Sequence, residues 1–471
     1  MNVVLIIFDS LREDCLGCYG KGPFWGKVET PYFDKLSKES LIFTNVYPES
    51  LPTLPMRRAI YTGKNVYPFH NANFKLKGDF VGAFGWGPIP EEQDTISEIL
   101  QENGYRTCLI SSLYHQFKPS KNFWRGFDQW DFIRGKERDM YRSGPEPSEE
   151  IINYYLPKEL QNPGKIELLK KVLMNTQGWK KEEDYPVAQV MIKAGRWIEE
   201  NKDAKRFFLV LESFDPHEPF QVPEFYSKKY FKEETDFDQI LSGYTDTSNW
   251  PKKVLRKTQA NYSGLVTMCD RWFGYIYEKL KNMSLLEDTL LILTSDHGHS
   301  IGDKNFIGKR GYPSSREVYD IPLLIRHPKG EGRDKRSDIM INHPDITAFI
   351  LDFLRIKPKQ LIDGKNFWKN AIKGKPEIRD HITVAWGPSI TVIDKKWWLN
   401  CLVNGKGVFL YNLEKDPDLT KNIANENKEI VDILYSKAIK DAKGNIPNFV
   451  MESAEKAEIS PGCSPIAARK I

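Results

Sequence analysis

The chain has 471 residues, 40% hydrophobic, 13% aromatic and 28% charged, enough apolar material for a full core and too much for a disordered tract. Its 68 Lys and Arg against 64 Asp and Glu leave +4, spread along the sequence without the basic arm that neutralises a polyphosphate backbone, so nucleic acid is not the expected partner. No apolar run approaches the ~20 residues of a membrane-spanning helix, and six cysteines in so long a chain make no disulfide framework.

Val3-Val4-Leu5-Ile6-Ile7-Phe8 opens the chain without the basic flank or small-residue cleavage site of a secretory signal. It reads as a buried strand, and the cytoplasm is the expected compartment. Cys15 and Cys18 have CxxC spacing, but no second pair follows, so free thiols are expected. Further apolar runs at 41–47, 106–111, 207–214, 289–294 and 322–326 alternate with helical patterns at 31–39, 55–61, 95–103, 187–201, 254–282 and 344–354. Strands apolar on both faces and separated by helices imply an α/β fold with a large, mostly parallel central sheet flanked by helices. The polar stretch 139–178 reads as an insertion over one face that shapes a pocket. After about Lys375 the pattern becomes hairpin-linked strands (381–385, 389–393, 396–403, 407–411) and a helix at 428–442. The expected division is a catalytic domain over 1–375, a smaller C-terminal α+β unit over 376–452 and a loosely ordered tail over 453–471.

In an α/β sheet the reactive groups gather at the carboxyl ends of the strands. Here those ends carry Asp9-Ser10, His217 and Ser295-Asp296-His297-Gly298. An Asp after a strand often caps a helix, and a single His is often a core residue; three such ends together suggest a metal site. Carboxylates with an imidazole suit Mn²⁺ or Zn²⁺. Thr53-Leu54-Pro55-Met56-Arg57 opens a helix, with Pro55 in the first turn. Its free N–H groups and Arg57 suit an oxyanion, while Thr53 is either the N-cap or, beside a metal, a nucleophile. Trp397-Trp398 read as core. His299, Asp303 and Lys304 read as a solvated loop. Arg134, Glu137 and Asp139 are open between substrate recognition and plain surface charge.

The first strand with Asp9, Thr30-Pro31-Tyr32-Phe33-Asp34-Lys35-Leu36, the Thr53-x-Pro-x-Arg57 to Thr62-Gly63-Lys64 segment, Ser295-Asp296-His297-Gly298, Gly308-Lys309, Ile321-Pro322-Leu323 and Tyr411-Asn412-Leu413-Glu414-Lys415-Asp416-Pro417, in that order, resemble the sulfatases of the alkaline phosphatase superfamily. The resemblance implies a large sheet, a smaller C-terminal sheet domain and one divalent metal ion, manganese first with zinc or calcium as alternatives. It makes Asp9, Thr53, Asp296 and His297 the metal ligands and Thr53 the nucleophile, with Arg57 holding the nucleophile and the transferred group. Lys309 and His217 correspond to residues that contact the ester oxygens and the leaving group; Lys64 is added as a substrate-binding residue.

Three departures bear on activity. Sulfatases use Cys or Ser oxidised to formylglycine at the position of Thr53, and threonine does not undergo that conversion, so no formylglycine is expected. The family's paired aspartates are Asp9-Ser10 here, and His297 stands where Asn is common. The family's Gly-Lys-Trp-His segment corresponds to Ser111-Ser112-Leu113-Tyr114-His115, where His115 is the stand-in for substrate binding. The set is more similar to phosphonate monoester hydrolases and threonine-dependent phospho-transferases, the latter usually carrying membrane helices. The expected activity is metal-dependent hydrolysis of a small-molecule phosphate mono- or diester or phosphonate ester, a phosphodiesterase-like reaction. The alternatives are sulfate-ester hydrolysis without formylglycine and a non-catalytic metal-dependent binding protein. No membrane partner is expected, and self-association is left open.

Overall fold

The computed structural model describes residues 1–70, 81, 83–374 and 377–457. Among them, the main sheet has eight strands in the order Lys335–Ser337, Leu41–Phe43, Leu323–Arg326, Thr289–Ser295, Asn2–Asp9, Phe207–Pro216, Arg106–Ser111, Gln129–Phe132. Leu323–Arg326 runs antiparallel to both its neighbours, and the other pairings are parallel. The first strand lies between its two partners in register, Val3 opposite Phe208 and Leu290. Its alternate side chains enter two cores: Val4, Ile6 and Phe8 on one face, Val3, Leu5 and Ile7 on the other. Both faces are covered, which is why the run is continuously apolar.

The helix Lys252–Asn282 packs with Pro186–Asn201 and Pro31–Ser37 on the first face. Thr53–Thr62 and His343–Phe353 pack together on the second. Thr95 caps Ile96–Glu102 through a capping box with Glu98, within the helical pattern expected over 95–103. Among the described residues, no helix is long and apolar enough to cross a membrane.

A second sheet has the order Phe409–Asn412, Trp397–Leu402, Ser389–Ile393, Ile382–Trp386, Ser50–Leu51. The C-terminal strands are antiparallel hairpins, as the turn spacing implies, but the edge strand is Ser50–Leu51, parallel to Ile382–Trp386 with Leu51 opposite Trp386. Two residues beyond it the helix of Thr53 begins. Sequence patterning missed this pairing because a two-residue strand has no periodicity to detect.

Within 139–178, a stretch whose pattern shows helical patches and little strand character, lie the helices Glu149–Tyr155 and Pro163–Thr176. Two details differ from the sequence reading. The run 41–47 breaks into Leu41–Phe43 and Val46–Tyr47, the latter paired with Ile341–Asn342. The tail read as loose from Ser453 begins inside the helix Asn448–Glu455, which buries Ala454; from residue 458 on, Cys463 included, it lies outside the described residues. Cys15 and Cys18 are free thiols.

Candidate active site

The first strand ends at Asp9, and Ser10 turns the chain at φ 63°. That turn aims the Ser10 backbone N–H at Asp296 Oδ1 (2.9 Å), while the Ser10 hydroxyl donates to Asp9 Oδ1 (2.9 Å). Ser10 thus orients both carboxylates, Asp9 and Asp296. The neighbouring strand ends at Ser295, and the next turn presents Asp296 and His297. Asp296 Oδ1 also accepts the His297 N–H (2.8 Å). His297 Nδ1 lies 3.0 Å from the Gly298 carbonyl; a carbonyl only accepts, so the proton is on Nδ1 and Nε2 carries the lone pair. Gly298 is needed where it is, because a Cβ there would meet the Glu317 carbonyl oxygen at 1.9 Å.

The helix Thr53–Thr62 supplies the remaining groups. Its N-cap is Pro52, and no side chain caps it. The Thr53 hydroxyl instead lies 3.5 Å from His297 Nε2 and 3.5 Å from Lys309 Nζ. One turn on, Arg57 is fully buried. Its Nη1 donates to Asp296 Oδ2 (2.7 Å) and to the Thr53 carbonyl (3.0 Å), its Nε donates to Glu212, and its Nη2 is 3.5 Å from Asp9 Oδ2.

Asp9, Asp296 and His297 can each offer a ligand atom with all three within 4.8 Å of one another. Burial, and then the charge of Asp296, push the Asp9 carboxyl well above the usual carboxylate range. Burial acts on Asp296 as well, but His297, Arg57 and Lys309 outweigh it and hold Asp296 below that range. Burial lowers His297 to about 3, keeping its imidazole neutral. Asp9 Oδ2 and Arg57 Nη2 are buried with no hydrogen-bond partner among the described residues. Two buried carboxylates, one with an orphaned oxygen, and a neutral Nε2 form a donor set that fits a divalent cation, with Thr53 Oγ1 beside it.

Thr53 opens into a cavity of about 450 Å³ whose walls include Lys309, His217, His115, Glu137, Trp86 and Trp386. His217 Nδ1 lies 2.6 Å from the Glu218 carbonyl, and the ring stacks on Phe214 with centroids 4.3 Å apart. Burial holds His217 and His115 well below the usual histidine range, so both are neutral. His115 Nε2 is 3.6 Å from Glu137 Oε2. Asn162, Gly164, Lys165 and Leu168, from the stretch read as an insertion, also line the cavity.

The structure therefore brings Asp9, Thr53, Arg57, Asp296, His297, Lys309, His217 and His115 together. It does not bring Lys64. That residue follows the far end of the helix, donates to the Leu361 carbonyl (2.8 Å) and is absent from the cavity walls. The helix is ten residues long, so about 15 Å separates its ends.

His299, read as part of a solvated loop, is fully buried with its ring 6.0 Å from that of His217. Asp303 pairs with Arg12 at 2.6 Å, and Lys304 donates to the Leu419 carbonyl (2.9 Å). Arg134 and Asp139 pair with each other at 2.8 Å. Trp398 is core, donating to Ser314 Oγ (2.9 Å). Glu212 and Trp386 are among the residues that escaped the sequence reading. Glu212 is a charge inside an apolar strand, a visible signal; Trp386 reaches the cavity only through the second sheet, which no local pattern reveals.

Polar residues gathered at the carboxyl ends of a mostly parallel sheet, around a cation-sized acidic site and a hydroxyl, define a hydrolase acting on ester bonds, with an alkaline-phosphatase-like fold. The sequence model of the Sulfatase family matches residues 1–356, and the chain belongs to that family, whose members are metal-dependent. It is similar to an arylsulfatase of Clostridium perfringens, 26% identical over 487 residues with 94% of each chain covered. It is also similar to the multifunctional alkaline phosphatase superfamily protein PehA of Trinickia caryophylli, 24% identical over 426 residues covering 80% of this chain and 78% of that protein. Among solved structures, the phosphonate monoester hydrolase of Agrobacterium radiobacter superposes with a TM-score of 0.71 at 21% identity, over 94% of this chain and 95% of that one.

Proposed function

We propose that this sulfatase-family ester hydrolase cleaves a phosphate mono- or diester or a phosphonate ester, with Thr53 as nucleophile. The observation that carries the reading is the Thr53 hydroxyl, free of any capping role and set between His297 Nε2 and Lys309 Nζ at 3.5 Å from each. Asp9, Asp296 and His297 are the residues that would hold a divalent cation, manganese first for this oxygen-and-nitrogen set; when bound, it supplies Lewis-acid polarisation that acidifies a neighbouring hydroxyl.

Thr53 Oγ1 attacks phosphorus in line, forming a threonine phosphoester as the bond to the leaving oxygen breaks. Lys309 Nζ, 3.5 Å from Thr53 Oγ1, gives a proton to the leaving oxygen and takes the one that Thr53 loses. His217 is suited to the second half of the reaction. Its Nδ1 proton is held by the Glu218 carbonyl, leaving a neutral ring with an accepting Nε2. It takes a proton from water as the water oxygen bonds to phosphorus and the Thr53 bond breaks; Lys309 reprotonates the departing Thr53 oxygen, and solvent carries the proton from His217 back to Lys309. Charge gathering on the equatorial oxygens is met by Arg57, Lys309 and the N-terminal amides of the Thr53 helix.

A second reading, sulfate-ester hydrolysis, is favoured by the match to the Clostridium perfringens arylsulfatase along 94% of both chains. Sulfate esters part slowly from a simple alkoxide, which lacks the gem-diol route by which formylglycine expels sulfate. The test is metal analysis together with kcat/KM on matched nitrophenyl phosphate monoester, diester, phosphonate and sulfate. Faster turnover of the sulfate than of all three phosphorus esters overturns the first reading in favour of the second.

A further inference from the structure

Glu212 lies inside a fully buried strand, and no step above uses it. Burying a carboxylate there is costly unless it is fully satisfied. Its partners satisfy it: Arg57 Nε and the Tyr61 hydroxyl donate to it, as does Gln116 Nε2 at 2.9 Å. Ser111 steadies Gln116 through a 2.9 Å bond to Oε1. Arg57 and Tyr61 are four residues apart on one helix, so a single helix face delivers two of the three donors. A neutral acceptor at position 212 could take such bonds at lower desolvation cost. What the carboxylate adds is charge.

That charge sits beside a site where charge decides which group is held. The Arg57 guanidinium donates to Glu212 through Nε and to Asp296 through Nη1, so one buried group joins the Glu212 charge to the metal-ligand carboxylates. With Asp9 ionised, as holding a cation requires, the carboxylates of Asp9, Asp296 and Glu212 face the cations of Arg57 and Lys309, one negative charge in excess, while Glu137 and Glu218 on the cavity wall are matched in number by Arg138 and Lys165. A divalent cation held by Asp9, Asp296 and His297 turns that excess into one positive charge, which matches a reacting group carrying a single negative charge. Without the Glu212 charge the site would hold two positive charges and match a doubly charged group. Complementarity of this kind discriminates by electrostatic balance rather than by shape.

We infer that Glu212 sets the charge preference of the site, selecting esters whose reacting group bears one negative charge, a diester, phosphonate monoester or sulfate ester, over doubly charged phosphate monoesters. The inference rests on the ester-hydrolase reading and deepens it. Glu212 is also the positioning residue for Arg57. With Nε held by Glu212 and Nη1 by Asp296 and the Thr53 carbonyl, Nη2 is left without a hydrogen-bond partner among the described residues, 3.5 Å from Asp9 Oδ2.

The test uses two inert tetrahedral anions that differ by one charge, methanesulfonate and sulfate, titrated calorimetrically into the manganese-loaded full chain. The wild-type protein binds methanesulfonate at least as tightly as sulfate. Glu212→Gln shifts the affinity ratio toward sulfate by tenfold or more. So does Gln116→Lys, which neutralises the carboxylate without removing it. Tyr61→Phe, which keeps the charge, leaves the ratio within threefold. Sulfate binding tenfold tighter than methanesulfonate in the wild type overturns the inference, and that measurement needs no variant to fold. So does a ratio within threefold of wild type in whichever of Glu212→Gln and Gln116→Lys folds. Because neither anion is hydrolysed, the outcome is independent of which ester the enzyme turns over, and failure of the threonine-phosphoester reading shows separately in the substrate panel.

Discussion

Replacing Thr53 by Ala separates a nucleophile from a helix cap. A capping threonine contributes about 1 kcal/mol through a bond to a first-turn N–H. Here Pro52 is the N-cap, and the Thr53 hydroxyl has only two contacts, each at 3.5 Å, the outer limit of hydrogen bonding. Losing it costs less than about 0.5 kcal/mol. For a chain of 471 residues the unfolding entropy is about 1 kcal/mol per kelvin, so Tm moves by less than about 1 °C. Activity follows the other scale, because removing a nucleophile from a working constellation costs on the order of 10⁴-fold or more in kcat. Thr53→Ser keeps a hydroxyl in place and retains activity within about tenfold, roughly 1.4 kcal/mol in the barrier. The assay is kcat/KM on a nitrophenyl phosphonate ester in manganese, paired with a calorimetric scan. Retention of more than a tenth of wild-type turnover in Thr53→Ala would falsify the mechanism, and a loss of stability near 1 kcal/mol with activity intact would restore the capping role.

Arg57→Gln leaves Asp9, Asp296 and Glu212 without their shared cation, at a cost of about 3–5 kcal/mol. Urea titration reads that loss, and millimolar Mn²⁺ recovers part of it by occupying the carboxylate pair; an unchanged urea midpoint shows that the ion pairs contribute nothing. Gly298→Ala drives a Cβ into the Glu317 carbonyl at 1.9 Å and displaces His297, so metal retention after dialysis falls together with stability, and full retention contradicts the geometry. Burial raises Glu49 to about 7 from 4.5, against the N–H bonds it accepts from Val66 and Tyr67. The folded state therefore holds this proton more tightly than the unfolded chain. The stability it contributes is present in full below about pH 4.5 and is lost as pH rises to about 7, by at most about 3 kcal/mol. Glu49→Gln flattens the stability profile across that window, and an identical slope in the variant refutes the assignment.

The chain's own pattern determined its layers. Val3 to Phe8 is apolar at every position because the strand is buried on both faces, and the helices at 187–201 and 254–282 carry the helical period, so each was legible locally. Asp9, Asp296 and His297 were legible as candidates because strand ends in such a sheet are where reactive groups collect. Only the tertiary structure decided that these ends, nearly 290 residues apart, meet within hydrogen-bonding distance, and that Ser10 holds both carboxylates. Lys64 shares a segment with Thr53 yet lies at the opposite end of a helix, since sequence proximity fixes distance along an axis and not direction toward a cavity. His299 reads as loop and is core, because burial depends on what packs over a residue. Leu51 pairs with Trp386 across more than 300 residues. Short-range physics writes periodicity into a sequence, whereas pairing between distant segments depends on how whole faces pack and leaves no local trace.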